Sequence, residues 1–187
     1  MFSFPPLPPW DGMHPLVIHI PIALIVVTPL LIVLGLVWRK HALGWFMASA
    51  LLMVIAAGGA CLATSTGSAA EDFAEKVPGA RDILEEHEEL GEAARNFAIG
   101  LAAALVIGTS ACWRWGDRIP RKALIATGLL YLVVHGGAML VFANASHEGG
   151  RLVHELGVRA WSAGDAGTSA PSDLRRTRGR GSDDDDD

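Results

Sequence analysis

Residues 14–38 read His-Pro-Leu-Val-Ile-His-Ile-Pro-Ile-Ala-Leu-Ile-Val-Val-Thr-Pro-Leu-Leu-Ile-Val-Leu-Gly-Leu-Val-Trp, without one Asp, Glu, Lys or Arg. As a helix, such a run meets the about 20 apolar residues needed to cross about 30 Å of hydrocarbon. Three more blocks are similarly long and apolar, at 43–66, 94–113 and 122–145, with Arg95 and Lys122 their only Asp, Glu, Lys or Arg residues. The 51% hydrophobic content of this 187-residue chain is gathered into these blocks, not spread at core periodicity. The fold class that follows is all-α: an integral membrane four-helix bundle. Pro15 suits a first helical position, where its missing N–H would be unpaired anyway. Pro21 and Pro29 should bend the first helix and leave carbonyls without intrahelical donors.

Trp38, Trp45, Trp113 and Trp115 flank the blocks as an interfacial belt. The two short connections are basic, with Arg39 and Lys40 in one and Arg114, Arg118, Arg121 and Lys122 in the other. The positive-inside rule puts them in the cytoplasm of a bacterial inner (plasma) membrane protein with both termini periplasmic. The acidic connection 67–93 is then periplasmic. There Ser68-Ala-Ala-Glu71 reads as a capping box opening a short helix that Pro78-Gly79 ends, with a second helix running from Ala80 into the third span. Gly149-Gly150 should break the fourth helix, and Gly100, Ala104 and Gly108 predict close approach of the third span to a neighbour. Residues 1–13 form a proline-rich leader, 14–160 the membrane domain and 161–187 a disordered tail ending in Asp183–Asp187.

Several chemistries are excluded. Net charge is -5, and the basic residues sit in loop anchors and a short tail, so no nucleic acid is a partner. Cys61 and Cys112 fall at opposite faces and should not pair, and no CxxCH is present for c-type haem attachment. No HExxH, Ser/His/Asp set or phosphate loop supports hydrolase or nucleotide chemistry.

The histidines remain. Five of seven (His14, His19, His87, His147 and His154) fall at the periplasmic face from three separate stretches. His135 lies halfway along the fourth span, one turn after Tyr131. Imidazole in or near a bilayer marks a ligand, a proton route or a buried partner. His147, Arg151 and His154 share a stripe if the glycines permit a helix. His87 sits among Glu85, Glu86, Glu88 and Glu89, which equally suits a solvated acidic helix.

The His14-Pro-x-x-x-His19-x-Pro-Ile-Ala opening, the Thr64-Ser-Thr-Gly67 turn, His87-Glu-Glu-Leu and Gly149-Gly-Arg-Leu-Val-His154 together resemble a bacterial family of four-helix membrane proteins of unknown function. That family is distantly similar to the cytochrome b561 and ferric-reductase group. The resemblance implies histidine-ligated haem b and electron transfer, with quinol or a periplasmic cytochrome as redox partner. His19 and His135 are then the preferred ligands, His87 and His154 the alternatives, and Arg151 and Arg95 the candidates for the propionates. The cytoplasmic half has no intramembrane histidine, so a single site toward the periplasm is expected. Two other readings stay open. One is an accessory subunit of a larger respiratory or photosynthetic complex, holding no cofactor. The other is a zinc or iron site built from His14, His19, His87, His147 and His154. An electron carrier or subunit fits the chain better than a stand-alone enzyme.

Overall fold

The computed structural model describes residues 7–158, which are helical with no strand among them. The start of the leader and the expected disordered tail lie outside the described residues. After a 3-10 turn at Trp10–Gly12 come α1 (His14–Val17), α2 (His19–Val37), α3 (Ala42–Ala74), α4 (Arg81–Trp115) and α5 (Arg121–His154). With α1 and α2 taken as one unit, four helical units among the described residues are long and apolar enough to cross a membrane.

Proline shapes the first unit as its chemistry requires. Pro15 occupies the first turn of α1. The helix is interrupted at Ile18, where Pro21 has no N–H to offer the Val17 carbonyl and its ring crowds that turn. Pro29 lies inside α2 and in the same way leaves the Ile25 carbonyl without an intrahelical donor.

Three expectations are corrected. The Ser68 box opens no new helix, because α3 runs without a break from the second span through Ala74. The capping residue is an interior position there, and continuing the helix satisfies the same N–H groups that a cap would. The Gly149-Gly150 pair does not break α5, which continues to His154. Gly149 instead answers a packing need described below. The Gly100, Ala104 and Gly108 face does not meet a neighbour: all three are exposed, and a Cβ on either glycine would touch nothing. α4 packs through Ala94, Ala98, Leu101, Ala102 and Leu105, where small residues alternate with leucines that fill the gaps between helices. The second connecting helix does start after Ala80, and Gly79, at φ +82°, makes the turn that precedes it.

α3 is the central helix, packed against α2 on one side and α4 on the other. α4 then meets α5, which closes back on α2. The α3 stripe Ser49, Met53, Ala56, Ala60 and Ala63 is buried, and its small side chains let backbones approach closely. Gly59 is one such contact, since a Cβ there would lie 3.0 Å from the Pro21 ring. The apolar window of α5 is only 11% buried against 44% for α3, so α5 presents most of its surface outward, toward lipid.

At about 1.5 Å per residue, helices of this length outreach the hydrocarbon. Their polar ends meet above it in a small core of Ala74, Ala80, Leu84 and Leu152. Both short connections lie at the opposite end, which we call the basic end.

Between helices, the polar stitching follows one pattern. His14, His87, Thr109, Tyr131 and His135 each hydrogen-bond a backbone carbonyl of another helix. A helical carbonyl keeps a second lone pair for such a bond, and three of these five side chains are histidines.

A facing histidine pair at one end of the bundle

His14 opens α1, and its Nδ1 lies 2.8 Å from the Ala63 carbonyl oxygen on α3. His87, two turns into α4, places its Nδ1 2.8 Å from the Ala145 carbonyl oxygen on α5. A carbonyl can only accept, so each Nδ1 carries the proton and donates it. In a neutral imidazole the Nε2 lone pair is then free. Neither Nε2 has a hydrogen-bond partner among the described residues. The two rings are neighbours in a T-shaped arrangement, with centroids 6.1 Å apart and planes at 90°.

The receiving helices carry a glycine four residues after each accepting carbonyl, in Ala63-Thr-Ser-Thr-Gly67 and Ala145-Ser-His-Glu-Gly149. A Cβ at Gly149 would stand 2.9 Å from His87 Cε1, closer than real Cβ contacts allow. At Gly67 it would lie 3.2 Å from His14 Cε1. These glycines give the imidazoles room to lie flat on the helix and reach its carbonyl. Thr66 Oγ1 is also 3.4 Å from His14 Nδ1.

The structure distributes the other candidates differently. His19, His147 and His154 share this end of the bundle but are exposed. Among the described residues no three His, Cys, Asp or Glu side chains converge as a metal group, so the five-histidine cluster is not assembled. His19 and His135 do not meet. His135 is wholly buried and its Nε2 donates to the Ile25 carbonyl at 2.7 Å, the very carbonyl that Pro29 leaves free. Its Nδ1 has no partner, and Tyr131 packs beside it with centroids 5.7 Å apart. His135 thus holds the tautomer opposite to that of His14 and His87, with its proton committed to joining α5 to α2.

Arg151 is engaged as well, bonding Glu148 at 2.7 Å and Glu155 at 3.4 Å. Arg95 lies 3.5 Å from Glu92. The pairing of His14 with His87 escaped the sequence reading, which had both only within the five-histidine metal set and named His87 without His14 among the haem ligands. The signal was present as an alanine four residues before a glycine in the last turns of two spans.

Beside the pair, the polar ends of α3 and α4 bring carboxylates together. Burial, then the charge of Glu71, a hydrogen bond with it, and the charges of Glu75 and Glu92 raise the Glu88 pKa above the usual carboxylate range. A raised pKa means the contact with Glu71 is fully present below the unfolded-state value and is lost as pH rises through the folded one. Glu88→Gln keeps a donor without the charge, so it should raise the melting temperature at pH 8 by about 1–2 °C. Near pH 4 it should change little, and thermal unfolding in detergent at the two pH values checks this.

Among curated proteins and among solved structures, none matches this chain. A family model does match, over residues 11–161, and its description is a predicted membrane protein (DUF2231). The match takes in all four spans and the histidine pair, and the chain belongs to this family of membrane proteins.

Proposed function

We propose that the protein binds b-type haem through His14 and His87 and carries electrons at the periplasmic side of a bacterial inner membrane. The observation that carries this reading is a pair of adjacent imidazoles whose Nε2 atoms have no partner, and no third ligand beside them, among the described residues. A structural zinc site needs four protein ligands. A haem iron needs only two, because the porphyrin supplies the rest. His14 and His87 would hold the iron through their Nε2 lone pairs, and their ring centroids lie 6.1 Å apart.

Bound there, haem would supply one-electron chemistry. The protein's part is to hold the ligands. The carbonyls of Ala63 and Ala145 fix the tautomer and raise the basicity of each ring, as outer partners of metal-bound histidine generally do. Gly67 and Gly149 set the ring depth. With the basic connections cytoplasmic, the pair lies on the periplasmic side, within reach of a quinol or a periplasmic cytochrome. A place in a larger respiratory complex is compatible with this role.

The test is the visible spectrum of the detergent-purified protein, as isolated and after dithionite. A Soret band that moves and sharpens on reduction, with split α and β bands, is the expected result. A protein that stays colourless after haem supplementation would sink the reading, and elemental analysis would then show whether another metal sits between the rings.

A further inference from the structure

At the basic end a cavity of about 240 Å³ opens between the first turn of α3, the last turn of α4 and the first turn of α5. Arg39 and Arg121 line it from two different connections, over an apolar floor that includes Phe46 and Leu124. Neither guanidinium has an ion-pair partner among the described residues. Asp117 lines the cavity too, leaving one excess positive charge.

The start of α5 adds to this. Pro120 caps it without a side-chain hydrogen bond, and its first turn holds no acidic residue. The first N–H groups of a 34-residue helix are therefore left without intrahelical acceptors beside Arg121. The belt formed by Trp38, Trp45, Trp113 and Trp115 sits at the same end and puts the cavity at headgroup depth. Two unpaired guanidiniums, a concave wall and an apolar floor at that depth suit a phosphate attached to acyl chains.

We infer that this cavity binds a phosphate-bearing anion, with the headgroup of an anionic phospholipid as its source. Arg39 and Arg121 hold the phosphate oxygens, the apolar floor receives the start of an acyl chain, and Asp117 limits affinity. The inference is independent of the haem reading, because the cavity lies at the opposite end of the bundle from His14 and His87.

The full chain, purified in a neutral detergent, would be titrated with phosphatidylglycerol, phosphatidylcholine, glycerol 3-phosphate and inorganic phosphate. The readout is tryptophan fluorescence, since Trp38, Trp45, Trp113 and Trp115 adjoin lining residues in sequence at this end of the bundle. Saturable binding of phosphatidylglycerol but not phosphatidylcholine is expected. Saturation by the soluble phosphates alone would keep the anion site and overturn its lipid source.

Two charge-matched variants separate a built site from general surface charge. Arg39→Gln with Arg121→Gln should weaken phosphatidylglycerol binding about thirtyfold. Arg114→Gln with Arg118→Gln, outside the cavity lining, should weaken it only a few-fold. Equal losses in both pairs would overturn the proposal. Asp117→Asn should tighten binding, and this third variant reports on the cavity even if the arginine pair proves unstable. No change with Asp117→Asn would also count against the site.

Discussion

His135→Leu should destabilise the bundle more than any other single histidine substitution, and Pro29→Ala should recover part of the loss. The leucine retains bulk but leaves the buried Ile25 carbonyl with no donor, because Pro29 offers none. An orphaned buried acceptor costs about 1–3 kcal/mol. His135→Ala adds a cavity beside Tyr131, for a total of about 3–5 kcal/mol. In Pro29→Ala the new N–H at position 29 can bond Ile25 within the helix, so the histidine becomes partly redundant. Side-chain hydrogen bonds between spanning helices are worth about 0.6–1.7 kcal/mol by double-mutant cycle. The coupling between positions 29 and 135 should fall in that range, measured by unfolding in mixed micelles. Additive effects would mean that His135 does not substitute for the missing amide.

The second large effect concerns the histidine pair. His14→Ala and His87→Ala should each abolish the low-spin haem spectrum, whereas His19→Ala and His154→Ala should leave it unchanged. Removing an outer partner of a metal-bound histidine typically costs about 10–100-fold in affinity, so loss of the ligand itself should exceed about 100-fold. The contrast with His135→Leu is diagnostic: its folded fraction should keep the spectrum while its stability falls. Retention of the spectrum in His87→Ala with loss in His135→Leu would reverse the assignment. Gly149→Val provides a geometric check, because its Cβ would stand where His87 Cε1 needs space. It should displace the ring and weaken haem retention with both histidines still present.

The four spans were legible because lipid imposes one requirement, long apolar helices, that composition records directly. The gathering of histidines at one end was legible for the same reason, since alternating spans fix which residues share a face. Pairing within that face was not. It depends on helix rotation and depth, and these are set by small residues whose packing face is ambiguous from spacing alone. Gly100, Ala104 and Gly108 show this, having the right spacing for a contact that α4 makes elsewhere, through Ala94, Ala98 and Ala102. Gly149 shows the converse. It reads as a helix breaker in isolation, yet its role is to admit a ring from another helix, information that resides at His87, 62 positions earlier. His135 drew attention as a buried histidine, and its true partner was the carbonyl implied by Pro29, on a different span.

The histidine–carbonyl–glycine unit occurs once in each half of the chain. A histidine near the start of one spanning unit reaches the carbonyl of an alanine near the end of the next, with a glycine one turn on. The same unit is thus built twice at one end of the bundle, once by each pair of helices. Each histidine is held in the same tautomer by the same kind of bond. One position breaks the equivalence. Three residues after the accepting alanine, the first half has the Thr66 hydroxyl beside the ring nitrogen, whereas the second has Glu148, turned away to Arg151. Any difference in basicity between the two rings traces first to that exchange of a hydroxyl for a carboxylate.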